Sequence, residues 1–408
     1  MISSTEILVI GAGPSGLLAA IESAKQGCNV IVLEEHKEIG LPNHCSGLIV
    51  KNGLDRLGVP YPSSLIQNKI NKSNFFSPNN YNLTIKRKNK GELLVFKRNE
   101  LDKVYFNKCL DLGVNIITET RAEKLIKDRK KYLGVSVKSK KSNLERINAE
   151  VIIDAEGPRQ KIIRQTNLKL PNQDWRLPAI QFELKNVNID SNSCDLYHGN
   201  KYAPGFFAWI IPTLPNHARV GLATFKGFKQ KEILNHFIKH HPIANKKLKG
   251  AKILESRGGI VNCCGPIKKT VDQNLLVIGD VAGQVKATTG GGFNYGGYCG
   301  RIAGLVAANH VKTFQPLKNY EISWRREYYF ELKLMEFYRK IVGKLSDKTL
   351  DRLIRAGSDS MSFSKSLTQT DDIDKHAVDL LRAALTPKIL NAGIRSIPEI
   401  ILKGLELV

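Results

Sequence analysis

The sequence ILVIGAGPSG at residues 7–16 decides the fold of this chain. Four apolar residues, typical of a buried strand, lead into a Gly-x-Gly-x-x-Gly motif, and Pro14 marks the first residue of a predicted helix. Gly11 permits a tight turn, Gly13 allows a phosphate to approach the backbone, and Gly16 allows the helix to pack closely on the strand. The pattern predicts the β-α-β opening of a dinucleotide-binding fold.

The residues that follow fit this prediction. The helix is predicted to run over 14–27, and free N–H groups at its start, near Ser15, are available to a pyrophosphate. A second predicted strand at 29–33 ends at Glu34, where a carboxylate can bind both hydroxyls of a ribose. A carboxylate here disfavours a 2′-phosphate, so the site is predicted to prefer FAD or NAD to NADP.

Two features later in the chain favour FAD. A predicted buried strand at 275–278 is followed by Gly-Asp at 279–280, and the sequence GGGF at 290–293 precedes a helix predicted at 300–310. Three residues without side chains allow the backbone to approach a flat cofactor closely. The Gly-Asp pair resembles the motif of FAD hydroxylases whose carboxylate binds the ribityl chain. The resemblance implies cofactor contacts from Asp280, Gly291, Gly292 and Phe293.

The same superfamily supplies two further matches. The sequence DAEG at 154–157, followed by Arg164, resembles its Asp-Gly motif, although the acid directly before the glycine is Glu156. Arg98 opens a helix predicted at 98–112 and matches an arginine that the superfamily places near the flavin. The resemblance therefore implies that Arg98 is also a cofactor-binding residue.

The order of the predicted elements gives the domain organisation. Short strands without helices between them favour an antiparallel sheet in the middle of the chain. Strands are predicted at 114–118, 133–137, 150–154, 179–184, 205–211 and 218–224. We predict an α/β fold with a doubly wound FAD-binding domain of the aromatic-hydroxylase type, an inserted antiparallel-sheet substrate domain and a helical C-terminus. The predicted boundaries are 1–165 and 266–315 for the FAD-binding domain, 166–265 for the substrate domain and 316–408 for the helical region.

Residues 38–48, EIGLPNHCSGL, resemble a segment of the geranylgeranyl reductase family. In that family a cysteine followed by a glycine lies beside the isoalloxazine ring. The resemblance implies that Cys45, Ser46 and Gly47 line the cofactor and that Cys45 is catalytic. The thiol could donate a proton, position a water that does so, or pair reversibly with Cys299, and His44 is a rival proton donor.

A second segment matches the same family. The sequence PGFFAWIIP at 204–212 resembles its P-x-x-Y-x-W-x-F-P motif, which lines a lipid cavity. Phe207 replaces the tyrosine of this motif and Ile211 replaces its phenylalanine, so a proton relay through a tyrosine hydroxyl is excluded here. The resemblance implies substrate contacts from Phe206, Phe207 and Trp209.

Composition limits the partners and the location. The formal net charge is +24, from 62 Lys and Arg against 38 Asp and Glu. This surplus favours anionic lipid headgroups or phosphorylated substrates, and no nucleic-acid motif accompanies it. No segment approaches the ~20 apolar residues of a membrane span, a signal peptide has no room, and the seven cysteines lack metal-ligand spacing. We expect a cytoplasmic protein, peripheral at the inner face of the membrane, with reduced thiols, no bound metal and no nucleic-acid partner.

The family resemblance implies FAD-dependent reduction of carbon–carbon double bonds in geranylgeranyl chains, part of archaeal-type phospholipid biosynthesis, with an isoprenoid lipid as substrate. A flavin hydroxylase or halogenase is an alternative, because residues 207–212 are one aromatic short of the Trp-x-Trp-x-Ile-Pro motif of halogenases. A non-enzymatic prenyl-binding escort protein is another. No separate nicotinamide motif is visible, so NAD(P)H and a ferredoxin-like protein both remain candidate electron donors. The amphipathic run 389–407 either docks as a bundle helix or lies on a bilayer.

Overall fold

The structure is a computed structural model that describes residues 2–86, 92–129, 131–360, 363, 374–394, 396 and 399. The strands are β1 (Ile2–Ile10), β2 (Val30–Leu33), β3 (Leu48–Val50), β4 (Ile66–Ile70), β5 (Lys72–Phe76), β6 (Asn82–Lys86), β7 (Leu93–Phe96), β8 (Asn115–Ile117), β9 (Thr120–Lys127), β10 (Tyr132–Ser139), β11 (Arg146–Asp154), β12 (Arg176–Lys185), β13 (Ser193–Tyr197), β14 (Ala208–Pro212), β15 (His217–Ala223), β16 (Lys252–Asn262), β17 (Val271–Asp272) and β18 (Leu275–Val277). The helices are α1 (Pro14–Lys25), α2 (Lys51–Asp55), α3 (Arg98–Asp111), α4 (Gln230–His240), α5 (Pro242–Leu248), α6 (Phe293–Thr313), α7 (Lys318–Trp324), α8 (Phe330–Val342), α9 (Asp347–Ser358), α10 (Ala377–Ala384) and α11 (Pro387–Ile394).

An eight-stranded sheet forms the centre of the dinucleotide-binding part. Its parallel strands follow the order β18-β11-β1-β2-β8, and β9 and β10 join it through an antiparallel pair with β11. Alternate residues of β1 face opposite layers: Ile7 and Val9 pack with α1 and α6, whereas Leu8 and Ile10 pack with β9 and β10. Because both faces are covered, the strand reads as a continuous apolar run.

Helices α1 and α6 cross closely on one face of this sheet. A Cβ atom on Gly300 would lie 2.2 Å from the carbonyl oxygen of Ser15, and one on Gly304 would lie 2.2 Å from that of Ala19. Only glycine at these two positions allows the backbones to approach so closely. This contact holds the start of α6 beside the start of α1.

A seven-stranded sheet carries the aromatic segment. Its order is β16-β12-β15-β14-β13-β5-β6, and α4 and α5 cover one face. On β14, Ile210 packs towards those helices, whereas Trp209 and Ile211 belong to the apolar cluster that includes the core of the FAD-binding part. The aromatic segment therefore faces the predicted FAD-binding domain rather than α4 and α5.

The structure confirms the predicted fold class and corrects several details. The predicted helix at 300–310 begins at Phe293 and ends at Thr313. The strand predicted at 205–211 begins only at Ala208, because Gly205 has φ +88° and turns the chain. The predicted antiparallel substrate sheet is present, and it is larger than expected: β5 joins it through one parallel pair with β13, and β6 extends it.

Two further differences concern segments that the sequence analysis left unassigned or that lie partly outside the description. Residues 48–96 contribute β3–β7, and β3, β7 and β4 form a separate three-stranded sheet. Of the amphipathic run 389–407, the structure describes the end of α11 together with residues 396 and 399. The domain boundaries stay a prediction.

Candidate cofactor and substrate site

The glycine turn at the start of α1 combines two tightly packed positions with one open position. A Cβ on Gly11, whose φ is +103°, would lie 2.4 Å from the carbonyl oxygen of Ala155, and one on Gly16 would lie 2.0 Å from that of Gly11. A Cβ on Gly13 would meet nothing within 4 Å. Gly13 is also the N-cap of α1 and has no side-chain cap, so the first N–H groups of the helix face open space.

Glu34 and Ser15 take different parts in this turn. The Glu34 carboxylate accepts hydrogen bonds from the Ala12 N–H at 3.0 Å and the His36 N–H at 2.9 Å, which fixes it beside the turn. Ser15 Oγ lies 2.6 Å and 2.4 Å from the positions where Cβ atoms of Gly279 and Gly296 would be. The Ser15 side chain is therefore a packing group, and its predicted cofactor contact falls to its backbone at the helix start.

Asp280 follows β18 and faces the glycine run before α6. Its Oδ2 accepts a hydrogen bond from Asn262 Nδ2 at 3.1 Å, and burial raises the pKa of its carboxyl while Asn262 and Arg176 oppose the shift. A Cβ on Gly292 would lie 2.8 Å from Asp280 Oδ1, so a side chain there would collide with the carboxylate. Gly292 is the N-cap of α6, which also lacks a side-chain cap.

Arg98 reaches the same region from the start of α3. It forms a buried ion pair with Asp102, and its guanidinium carbon lies 4.6 Å from the ring centroid of Phe293. Burial lowers the pKa of Arg98, whereas the charge of Asp102 and, after it, that of a Cys45 thiolate raise it, so the predicted catalytic thiol acts electrostatically on this cation. The structure thus brings Arg98, Phe293 and Cys45 into one neighbourhood, although they are far apart in sequence.

Arg219 holds the segment that contains Cys45. Arg219 Nη1 donates hydrogen bonds to the carbonyl oxygens of Ser46 at 2.6 Å and Phe96 at 3.0 Å, and Nε pairs with Glu183 at 2.9 Å. Gly47 has φ +74°, and a Cβ there would lie 2.4 Å from Arg219 Nη1. Arg219 was not predicted as a site residue, because no motif surrounds it in β15.

His44 and Cys45 point in different directions. The backbone at Gly259 of β16 approaches His44, with 3.1 Å between the His44 Cβ and the position of a Gly259 Cβ, and burial lowers the pKa of the imidazole. Cys45 is exposed, and its Sγ accepts a hydrogen bond from the Gly47 N–H at 3.4 Å. The structure does not show the pairing considered with Cys299, which is a free thiol buried in α6.

The aromatic segment lies against the glycine run. Phe206 and Phe207 stack with ring centroids 4.0 Å apart, and the Phe206 Cζ lies 3.8 Å from the position of a Gly290 Cβ. Trp209 Nε1 donates a hydrogen bond to Gln181 at 3.1 Å, and the missing side chain of Gly221 leaves room for the indole. The residues predicted to contact the substrate therefore lie beside the glycine run predicted to contact the flavin.

Arg339, another residue that the sequence analysis missed, ties this wall to the C-terminal helices. Its guanidinium carbon lies 4.5 Å from the Phe206 ring centroid, and Nε donates a hydrogen bond to the carbonyl oxygen of Ala287 at 3.0 Å. A second bond runs to the carbonyl oxygen of Thr288. The cation is buried on α8 and supports the loop that leads into Gly290–Gly292 from outside the predicted cofactor domain.

The carboxylates of the Asp-Gly motif at 154–157 bind backbone N–H groups of their own turn and do not face the open space at Gly13. Asp154 Oδ1 accepts a hydrogen bond from the Glu156 N–H at 3.1 Å, and Glu156 Oε1 accepts one from the Ile162 N–H at 2.7 Å. Burial raises the pKa of both carboxyls. Arg164 is exposed, so this motif braces the backbone that packs on Gly11.

These residues fit FAD. Open space lies at Gly13, two uncapped helix starts face the region, and Glu34 and Asp280 supply carboxylates for hydroxyl groups. Within the described residues, Asn262 Oδ1 and Arg176 Nε are buried without a hydrogen-bond partner, and both residues belong to the surroundings of Asp280. Unpaired buried polar atoms are costly, and a bound polar chain would satisfy them.

Models of two known protein families match this chain. A model of the FAD-dependent oxidoreductases matches residues 6–158, and a model of the geranylgeranyl reductase catalytic domain matches residues 176–261. A crystal structure of a geranylgeranyl bacteriochlorophyll reductase-like protein from Thermoplasma acidophilum has a TM-score of 0.86 at 22% identity, covering 98% of this chain and 100% of that one. A flavin-dependent brominase has a TM-score of 0.70 at 18% identity, covering 97% and 100%. At these identities the two structures show the fold alone.

Two curated relatives extend the match over nearly the whole chain. The digeranylgeranylglycerophospholipid reductase of Methanocaldococcus jannaschii is 33% identical over 390 residues, which are 92% of this chain and 98% of that protein. The digeranylgeranylglycerophospholipid reductase 2 of Methanopyrus kandleri is 27% identical and covers 86% of this chain and 90% of its own length. The chain therefore belongs to the geranylgeranyl reductase family and is an FAD-dependent oxidoreductase.

Proposed function

We propose that this enzyme reduces the carbon–carbon double bonds of geranylgeranyl chains in a glycerophospholipid precursor. Its relatives are named for this reaction. The observation that carries the proposal is the position of Phe206, whose Cζ lies 3.8 Å from where a Cβ of Gly290 would be, so that an apolar aromatic wall stands beside the loop expected to hold the flavin. An isoprenoid chain on this wall would be shielded from water, and each buried methylene contributes about 0.8 kcal/mol.

The residues divide the work between binding the cofactor and enclosing the substrate. Glu34 would bind the ribose of FAD, Asp280 its ribityl chain, and the starts of α1 and α6 its phosphates and ring edge. FAD, when bound and reduced, supplies a hydride to one carbon of an isolated double bond, and the other carbon needs a proton. Phe206, Phe207 and Trp209 would exclude water from the place where the hydride is transferred.

We propose Cys45 as the donor of this proton. Its thiol is exposed, its charge when ionised would act on Arg98, and Arg219 holds the neighbouring backbone through the Ser46 carbonyl. The thiol would give its proton to the second carbon and regain one from water. His44 is turned towards β16 and is the alternative donor.

A direct test uses the purified flavoenzyme, photoreduced without oxygen and mixed with a geranylgeranyl diether phospholipid. We expect the flavin to reoxidise and the lipid to gain two hydrogen atoms for each reduced bond, as measured by mass spectrometry. Because electrons are supplied by light, the result does not depend on the physiological donor. An unchanged lipid would contradict the proposal.

We further propose that the enzyme works at an anionic membrane surface. Phe330 and Phe337, seven residues apart on α8, are 69% and 53% exposed and share a helix face. The net charge of +24 would add attraction to anionic headgroups. Among the described residues, no helix is long and apolar enough to cross a membrane.

Vesicle sedimentation tests this surface. Binding to anionic vesicles should fall steeply as salt rises, because screening acts over about 10 Å at 0.1 M salt. Replacing Phe330 and Phe337 by serine should weaken binding, whereas the same change at Leu110 and Ile253, exposed on other faces, should not. Equal binding to neutral and anionic vesicles would remove electrostatics from the proposal.

A further inference from the structure

A cavity of about 1020 Å³ lies between the seven-stranded sheet and the C-terminal helices. Its walls come from the turn after β5, the turn after β13, the junction of α4 and α5, helix α9 and helix α11. Five cationic side chains and three aspartates line it. The cations are Lys201, Lys348, Arg352, Arg355 and Lys388.

Two of the three aspartates of this cavity accept hydrogen bonds from neutral donors. Asp351 accepts hydrogen bonds from Ser77 and from the backbone and side chain of Asn79, and Asp347 accepts them from Asn200. These donors are neutral. Within the described part of the chain, Lys201, Lys348 and Arg355 form no ion pair with a carboxylate, although all three have ordinary exposed side chains.

Helix geometry concentrates this charge. Lys348, Arg352 and Arg355 follow at intervals of four and three residues, so they line one face of α9. Arg355 donates a hydrogen bond to the hydroxyl of Tyr81 at 3.4 Å, and its guanidinium carbon lies 5.2 Å from the centroid of that ring. Lysine and arginine side chains grouped in this way are typical of phosphate recognition.

A line of rings connects the cavity with the flavin loop. His198 lines the cavity, and its ring centroid lies 5.6 Å from that of Phe207, which stacks on Phe206 at 4.0 Å. Phe206 in turn contacts the Gly290 position. Burial, and then Arg339, lower the pKa of His198 to about 3, so an uncharged ring lies between the polar cavity and the apolar wall.

We infer that this cavity binds the phosphate headgroup of the isoprenoid lipid, with the chain passing His198 and the stacked phenylalanines towards the flavin loop. The inference rests on the proposed function for the identity of the chain, but the phosphate site stands on the cavity itself. It assigns Lys348 and Arg355 as specificity-determining residues that select a phosphorylated lipid over the free alcohol.

The test measures binding of a saturated isoprenoid diether glycerol phosphate in neutral detergent, beside the same diether with a free hydroxyl. A saturated lipid cannot be reduced, so binding is read apart from catalysis. We expect the phosphate form to bind at least tenfold more tightly to the wild type. Neutralising two charges, in Lys348→Gln/Arg355→Gln, should weaken only that form, by about 10- to 100-fold.

The matched control is Lys124→Gln/Arg129→Gln, which removes one lysine and one arginine from an exposed region by β9, and it should bind as the wild type does. Equal affinity of the wild type for both lipids, or equal losses for both lipids in the cavity variant, would overturn the inference. Inorganic phosphate should compete only weakly; competition as strong as that of the lipid would show a free-phosphate site instead. If the protein selected the phosphorylated lipid but reduced no lipid, the proposed function would be contradicted and the phosphate site would stand.

Discussion

The glycine turn at the start of α1 and the cavity beside α9 are both suited to phosphate, but they are built in opposite ways. In the turn, the backbone supplies the contacts, and its neighbours leave no space for a Cβ on Gly11 or Gly16. In the cavity, long and exposed cationic side chains from distant segments supply them. A backbone site is rigid and intolerant of change, whereas a side-chain site should lose affinity one charge at a time.

The largest effect is expected at the turn. Gly16→Ala would place a Cβ 2.0 Å from the Gly11 carbonyl oxygen, and we expect it to cost about 3 kcal/mol or more and to abolish FAD binding. Gly13→Ala meets no neighbour, so it should fold at a cost of about 1 kcal/mol and yet lose FAD, because its methyl group would occupy the space of the pyrophosphate.

Thermal unfolding and the flavin absorbance of the purified proteins separate the two outcomes. The distinction between packing and binding glycines would be contradicted if Gly13→Ala retained its flavin, or if the two variants had the same melting temperature.

The next effect concerns the proton donor. Cys45→Ala should retain FAD and accept electrons, but reoxidise 10²- to 10⁴-fold more slowly with the lipid, the usual range for loss of a general acid. Stopped-flow absorbance measures this rate, and His44→Gln should be much less affected because His44 is turned towards β16. Near-normal turnover of Cys45→Ser would show that the thiol is not the acid.

A smaller effect is expected at the carboxylates that would hold FAD. Glu34→Ala and Asp280→Ala each remove a charge-assisted hydrogen bond, worth about 1.5–3 kcal/mol, so each should raise the dissociation constant for FAD. Glu35→Ala is the matched control, because Glu35 pairs with Arg159 near the protein surface. Full flavin occupancy in both variants would place the ribose and ribityl contacts elsewhere.

Part of the fold and part of the candidate site could be predicted from the sequence. The parallel strands, the glycine turn, Glu34 and Asp280 followed from short motifs whose chemistry is local. Arg219 and Arg339 did not, because nothing in a chain with 62 lysines and arginines marks which of them become buried. The pairing of β5 with β13 and the cavity beside α9 were also missed, since both join segments more than a hundred residues apart.

The smallest effect is a pH dependence at the wall of the cavity. His241 Nδ1 accepts hydrogen bonds from the N–H groups of Ile243 and Ala244, and burial followed by Lys201 lowers its pKa from 6.5 to about 4. A lowered histidine pKa stabilises the fold above about pH 6.5, and this contribution is lost as pH falls towards 4. Between about pH 7 and pH 5.5 the loss should be about 1 kcal/mol.

Denaturant unfolding at several pH values measures it, and His241→Asn, which keeps a capping side chain, should remove this part of the dependence. An unchanged pH profile in that variant would assign the dependence to other groups.

The most direct test of the central claim is a single turnover without oxygen, in which flavin reoxidation and lipid saturation are counted in the same sample. Reduction of an isoprenoid chain by bound FAD predicts one flavin reoxidised for every double bond saturated. A flavin that stays reduced in the presence of the lipid, with no double bond saturated, would contradict the account.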